Sequence, residues 1–60
     1  MYKIFVTPFN KTKEPYFIKL KDNYFIKTLD IEDASFFSEE ETLNYKDQLK
    51  SIAEIELIKA

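Results

Sequence analysis

The side chains that could do chemistry in this sequence are carboxylates, lysines and aromatic rings. Cys, His, Gly and Arg do not occur among the 60 residues. Without Cys or His, neither a Cys–His pair nor a Ser–His–Asp triad can form, and thiolate or imidazole metal sites are excluded. Without Gly or Arg, the chain has no glycine-rich phosphate loop and no bidentate arginine clamp. Paired carboxylates remain, but so short a chain hardly encloses a pocket of about 300 Å³. We therefore expect no enzyme, no cofactor and no small-molecule substrate.

The acidic side chains fall into two groups with simple structural interpretations. Asp30, Glu32 and Asp33 lack the glycine and the distant Glu of a calcium loop, which argues against a metal site. Ser38 followed by the triplet Glu39–Glu41 has the spacing of a helix capping box, and acids in a first turn suit the helix dipole. The triplet could also imitate a polyanion, but the helix cap is the simpler interpretation.

Charge is distributed unevenly along the chain. Residues 1–27 carry six lysines against two acids, a balance of +4, and residues 28–60 carry three lysines against nine acids, a balance of −6. A basic half beside an acidic half indicates that charge contributes to recognition. No segment approaches the roughly 20 apolar residues that a membrane span needs, and without cysteine the sequence is typical of a cytoplasmic protein.

Alternation, prolines and turn residues predict the elements that must position these side chains. Asp22-Asn23 can form a two-residue turn without Gly, since both residues tolerate the left-handed conformation. The predicted fold class is α+β: a small antiparallel sheet of three to four strands, in the order β-β-β-α-β, with one helix packed on one face, in one domain over residues 1–60. The predicted elements are strands at Tyr2–Thr7, Tyr16–Leu20, Tyr24–Leu29 and Glu54–Ile58, a helical turn at Asp30–Ala34, and a helix from Ser38 to about Lys50 or Ser51.

Part of this pattern resembles a group of known proteins. The run Asp30-Ile31-Glu32-Asp33-Ala34, then Phe36-Phe37, then Ser38-Glu39-Glu40-Glu41 and a closing strand, is similar to small accessory proteins of phages and prophages of low-GC Gram-positive bacteria. The resemblance covers residues 16–60 and departs from the usual form at Thr42, where Ala is more typical, and in lacking a hairpin Gly. It implies the same fold, a phage origin and a place in the host cytoplasm, and it transfers no functional residue.

The two-residue turn also predicts which side chains share a face of the sheet. It pairs Lys21 with Tyr24 and Leu20 with Phe25. The inner face, toward the helix, should then hold Tyr2, Ile4, Val6, Tyr16, Ile18, Leu20, Phe25 and Leu29, with the stem of Lys27. The outer face should hold Phe5, Phe17, Lys19, Lys21, Tyr24 and Ile26, together with Lys3, Thr7 and Thr28. Because one helix covers one face, we expect the outer face to be exposed and to bind a partner.

Three kinds of partner fit an exposed face of aromatic rings and lysines. Apolar residues rimmed by charge are typical of a protein-binding surface, here one that binds and inhibits or otherwise modulates a host or defence protein. A second copy of the chain would bury the same rings in a homodimer and stabilise a small core. Single-stranded nucleic acid could stack on Phe5, Phe17 and Tyr24 and contact Lys3, Lys19 and Lys21. The absence of Arg and the acidic second half disfavour nucleic acid, so we expect a homodimer with a protein partner.

Overall fold

The predicted α+β architecture is confirmed by a computed structural model, which describes residues 1–59; Ala60, part of the predicted domain, lies outside the described residues. The four strands form an antiparallel sheet in the order β3-β2-β1-β4, so β3 and β4 are its edges. The elements in chain order are β1 (Tyr2–Pro8), β2 (Tyr16–Lys21), β3 (Tyr24–Thr28), a 3-10 turn (Ile31–Asp33), α1 (Glu39–Leu49) and β4 (Ala53–Lys59).

The β2–β3 hairpin has the predicted register. Asp22 and Asn23 adopt φ angles of 50° and 69°, the left-handed conformation that a two-residue hairpin turn requires. Lys21 consequently faces Tyr24, and Leu20 faces Phe25. The inner and outer faces of the sheet are therefore the predicted ones, except that Leu29, expected on the inner face, lies beyond the end of β3 and is 70% exposed. Strand β3 ends at Thr28, one residue earlier than expected, where the Thr28 hydroxyl accepts a hydrogen bond from the Asp30 amide at 3.2 Å.

The core lies between the inner face of the sheet and α1. Its central side chains come from β1 and β2, and α1 contributes Tyr45 and Leu49. The Thr42 side chain is fully buried, and its hydroxyl donates to the Glu39 carbonyl at 2.6 Å, so a polar residue is tolerated where the resemblance led us to expect Ala. The buried core residues are Ile4, Val6, Tyr16, Ile18, Phe37 and Ala53, with Ile55 and Leu57 packed against them.

The predicted capping box starts α1. The Ser38 hydroxyl accepts from the Glu41 amide at 3.2 Å, and the Glu41 carboxylate accepts from the Ser38 amide at 2.9 Å. These two bonds satisfy amides that the first helical turn leaves without partners. The helix ends at Leu49, slightly before the expected Lys50 or Ser51, and β4 begins at Ala53, one residue before the expected Glu54.

The connection between β3 and α1 passes through a gap in the sheet. β1 and β2 pair directly at Phe5–Phe17 and Val6–Tyr16. Beyond these pairs, Ser35 bonds to β2, donating its amide to the Ile18 carbonyl at 3.2 Å and accepting from the Leu20 amide at 2.7 Å. Phe37 bonds to β1, exchanging two backbone bonds of 2.7 and 2.8 Å with Tyr2. The chain thereby crosses from the outer face to the inner face, where Phe37 enters the core.

The two adjacent phenylalanines should therefore respond differently to truncation. Phe37 is 1% exposed and Phe36 is 53% exposed. Phe37→Ala is expected to cost about 3–5 kcal/mol, as much as a core of this size supplies, and to leave the chain largely unfolded in far-UV circular dichroism. Phe36→Ala, the matched control, should remain folded. Equal stability of the two variants in urea denaturation would contradict the threaded connection.

Candidate protein-binding surface

The predicted site residues lie together on the outer face of the sheet. The rings of Phe5 and Phe17 are neighbours, with centroids 4.7 Å apart. Lys19 lies opposite Ile26, and Lys21 lies opposite Tyr24. The same face also carries the acids of β4, because Glu56 pairs with Phe5 and Glu54 with Thr7.

The centre of the outer face is covered, contrary to expectation. The 3-10 turn and the residues after it contact this face before the chain crosses the sheet. The Lys19 ammonium forms an ion pair with Asp33 at 2.7 Å. The Lys3 ammonium donates a hydrogen bond to the Ile31 carbonyl and lies 4.8 Å from the centroid of the Phe36 ring. Lys3 is consequently only 9% exposed. Two of the three lysines expected to meet a partner are therefore engaged within the chain.

The aromatic pair at this centre is also partly withdrawn from solvent. Phe5 and Phe17 are both partly buried, and each ring presents part of its surface to the other. A ring that is partly buried and packed against its neighbour presents less of its surface to a stacking base than an exposed ring does. We expected the outer face to be exposed because the single helix covers the inner face. This expectation was wrong at the centre of the outer face, which is covered by the 3-10 turn and the residues after it.

The exposed part of the site is the edge strand β3 and the end of the hairpin. Tyr24 is 75% exposed and Ile26 is 42% exposed on the outer face. On the inner face, Phe25 and Leu20 are 46% and 43% exposed, although both were expected in the core. We call Leu20, Lys21, Tyr24, Phe25 and Ile26 the edge surface. Its three β3 residues, Tyr24, Phe25 and Ile26, expose aromatic or apolar side chains on both faces of that strand.

The position of α1 explains why the inner side of β3 remains exposed. The helix packs chiefly against β4 and β1, at the other side of the sheet. Its contact with β3 is the edge-to-face pair of Phe25 and Tyr45, whose ring centroids are 5.7 Å apart. A groove of about 310 Å³ lies between the helix and β3, lined by Phe25, Glu41, Asn44, Tyr45 and Gln48.

A second concave region lies at the opposite end of the inner face. A cavity of about 400 Å³ has Phe9 and Ile52 among its lining residues, and the Lys27 ammonium there lies 4.7 Å from the centroid of the Tyr16 ring. Burial raises the pKa of the Tyr16 hydroxyl. Phe9 is 60% exposed, so the loop between β1 and β2 presents an aromatic side chain to solvent.

Within residues 1–59, no group of three or more acidic side chains is arranged to hold a metal ion. Helix α1 is too short and too polar to cross a membrane, and the described part of the chain contains no other helix that could do so.

The ion pair that fixes the 3-10 turn makes a testable contribution to stability. The hydrogen bond from Lys19 holds the pKa of Asp33 below its ordinary value of 3.8. A carboxylate whose pKa is lowered by folding stabilises the native state above its unfolded pKa, and this contribution is lost as the pH falls through the folded pKa. Asp33→Asn should therefore be less stable than wild type at pH 7, and the difference should shrink as the pH is lowered below about 4.

Urea denaturation at a series of pH values measures this difference. Asp47→Asn is the matched control, since Asp47 forms an exposed pair with Lys50 at 2.9 Å, and such pairs contribute little. A stability difference between Asp33→Asn and wild type that stays constant down to pH 2 would contradict the role of the ion pair.

Comparison of the chain with protein-family models, with curated proteins and with solved structures gives no match. We therefore infer the function from the geometry and chemistry of the edge surface.

Proposed function

We propose that this chain is a small non-catalytic module that binds a host or defence protein through its edge surface and thereby modulates it. The observation that carries the proposal is that β3 presents Tyr24, Phe25 and Ile26 to solvent on both of its faces. Clustered apolar side chains rimmed by charge are typical of protein-binding sites. The rim here consists of Lys21, Asp22 and Asp30, all exposed.

The composition of the edge surface suits a protein partner. Tyrosine is over-represented among the residues that dominate binding energies, because its ring buries a large area while its hydroxyl keeps a polar contact. Tyr24 is 75% exposed beside a tight turn. The turn limits the backbone freedom of this residue, so little conformational entropy is lost when a partner covers the ring.

The alternative, binding of single-stranded nucleic acid, is supported less well by the arrangement of the outer face. Of the three rings that could stack on bases, Tyr24 is exposed, whereas Phe5 and Phe17 are partly buried. Lys3 and Lys19 are engaged by the Ile31 carbonyl and by Asp33. Glu54 and Glu56 lie on the same face and would repel phosphates.

The origin and location of the module belong to the same proposal. The resemblance of residues 16–60 to phage and prophage accessory proteins supports a role in the cytoplasm of a low-GC Gram-positive host. A protein that modulates its target by occupying a surface of it requires a binding surface and no catalytic residues.

Replacing the most exposed ring should remove binding without unfolding the chain. Tyr24→Ser is expected to lose a host protein that the wild type captures from lysate of a low-GC Gram-positive bacterium, and to bind the purified protein at least about tenfold more weakly. Leu43→Ser, which removes an apolar side chain that is 57% exposed on α1, is the matched control. Equal affinity of wild type and Tyr24→Ser for the captured protein would overturn the proposal.

Nucleic-acid binding can be measured directly by fluorescence anisotropy. Labelled single-stranded DNA and RNA should show no binding when titrated with the wild type at low salt. Binding that weakens steeply with added salt, and is lost in Tyr24→Ser, would favour the alternative function instead.

A further inference from the structure

The backbone of β3 has a free hydrogen-bonding edge whose groups can be assigned. In a two-residue hairpin, the pair next to the turn, Lys21 and Tyr24, exchanges backbone hydrogen bonds, and bonded and non-bonded pairs then alternate. With the observed register, the backbone groups of Tyr24, Ile26 and Thr28 point toward β2. The amides and carbonyls of Phe25 and Lys27 therefore point away from the sheet, because β3 is an edge strand.

Little on β3 protects this edge from pairing with another strand. Natural edges are blunted by proline, bulges or charged side chains, and β3 contains no proline. Its one charged residue, Lys27, is exposed, but its ammonium lies over the Tyr16 ring of the neighbouring strand β2, 4.7 Å from the ring centroid, and not over the free edge. The other edge differs, since β4 carries Glu54 and Glu56 on its outer face. Two copies of β4 paired in antiparallel would bring these acids close together.

One antiparallel register joins two copies of β3 through all four of the free groups on each strand. It places Phe25 of one copy opposite Lys27 of the other, so that each such pair exchanges two backbone bonds. Ile26 then faces Ile26 of the second copy, and Tyr24 faces Thr28. A shift that pairs Phe25 with itself would match Lys27 with the turn residue Asn23, and a shift that pairs Lys27 with itself would place two ammonium groups side by side.

The side chains of this register are compatible on both faces. On the outer face, two Ile26 side chains meet, and each is 42% exposed in the single chain. On the inner face, the Phe25 ring of one copy lies beside Lys27 of the other. The Lys27 ammonium stays over the Tyr16 ring of its own chain, so the Phe25 ring packs against the methylene groups of Lys27. Asp22 and Asp30 lie beyond the ends of the paired segment, so no like charges face each other within it.

The exposed surface of the chain is larger than its mass predicts. A folded monomer of 7.2 kDa is expected to expose about 4,100 Å², and this chain exposes 4545 Å². The apolar side chains of the edge surface contribute to this surface. A second copy on β3 would cover part of it with side chains that match it.

We propose that two copies of this chain form a dimer by antiparallel pairing of β3 with β3, with the two-fold axis between the Ile26 residues. The product is one eight-stranded sheet in the order β4-β1-β2-β3-β3-β2-β1-β4. A two-fold contact closes after two copies, whereas pairing of β3 with β4 would continue into a filament.

The dimer also deepens the proposed function, and this consequence rests on that function. Pairing uses the backbone edge and the inner side chains, and it leaves Lys21 and Tyr24 on the outer face. Two copies of this part of the edge surface then lie next to each other across the axis, which gives a partner protein a continuous apolar surface of twice the size. A two-fold symmetric target could contact both halves at once and gain avidity.

A charge exchange at residue 26 tests the register. Wild type should sediment as a dimer in analytical ultracentrifugation, and Ile26→Lys and Ile26→Glu should each dissociate with a constant raised roughly tenfold or more, because like charges face each other. An equimolar mixture of the two variants should form a heterodimer, since residue 26 then pairs a lysine with a glutamate. Leu43→Lys, with its substitution on α1, should sediment like wild type.

The dimer would be overturned if the wild type sediments as a monomer at its highest soluble concentration, or if its sedimenting mass keeps rising with concentration. It would also be overturned if Ile26→Lys and Ile26→Glu each remain dimeric alone, or if the mixture of the two variants stays monomeric. If either variant is unfolded alone, recovery of both circular dichroism and dimer mass in the mixture supports the pairing, and failure to recover contradicts it. Tyr24→Ser loses the contact of Tyr24 with Thr28 of the second copy but keeps the backbone bonds of Phe25 and Lys27 and the Ile26 contact. It should therefore still sediment as a dimer while losing the captured partner, so that failure of the dimer and failure of the proposed function are distinguished.

Discussion

The passage of residues 35–37 between β1 and β2 is the constraint on which the rest of the structure depends. Hydrogen bonds from Ser35 to β2 and from Phe37 to β1 replace the bonds that the two strands would otherwise make with each other. These bonds fix the point at which the chain leaves the outer face. They also determine that α1 starts beside Tyr2, next to β1, instead of over the hairpin.

The position of α1 in turn explains where the chain is buried and where it is not. A helix that starts beside β1 and leads into β4 lies over those two strands. The fully buried aliphatic residues Ile4, Val6 and Ile18 therefore lie in the two central strands, whereas each β3 residue remains at least partly exposed. A chain of this length has too few residues to cover a four-stranded sheet on both faces. The uncovered strand is available for recognition because the fold leaves nothing else to pack on it.

On the outer face, the connection between β3 and α1 engages lysines that could otherwise bind an external anion. Asp33 of the 3-10 turn forms an ion pair with Lys19, and the Ile31 carbonyl of the turn accepts a hydrogen bond from Lys3. Both lysines stabilise the connection, and in doing so they are withdrawn from any external anion. Lys21, at the end of the hairpin, remains exposed beside Tyr24, although its charge contributes to lowering the pKa of Asp33 in this turn. The basic half of the sequence is consequently less basic at its surface than its composition indicates.

Local patterns in the sequence predicted much of the fold. They did not predict how elements that are distant in sequence are placed relative to one another. The hairpin register followed from Asp22-Asn23, and the start of α1 followed from Ser38 and Glu41, because both depend on residues close in sequence. Strand order does not follow from such patterns, so Leu20 and Phe25 were assigned to the core although they lie beside an uncovered edge. The threaded connection was missed because three residues crossing a sheet leave no periodic signal. The adjacent Phe36 and Phe37, one exposed and one buried, mark the crossing in retrospect.

Because these patterns are local, they predicted which side chains of the site share a face but not how exposed each one is. Alternation placed Phe5, Phe17, Lys19, Lys21, Tyr24 and Ile26 on one face, where the structure has them. Exposure of each residue depends on what packs over it, which alternation does not describe. Lys21, Tyr24 and Ile26 are exposed, whereas Phe5, Phe17 and Lys19 are partly buried under or beside the connection.

Amide hydrogen exchange followed by NMR shows whether β3 is an uncovered edge strand whose backbone is open at Phe25 and Lys27. In dilute protein, the amides of Tyr24, Ile26 and Thr28 should exchange slowly, because they bond to β2, and those of Phe25 and Lys27 should exchange rapidly. Raising the protein concentration should slow exchange at Phe25 and Lys27 as the dimer forms. Protection of these two amides that is independent of concentration, or equal exchange along the whole of β3, would contradict the account.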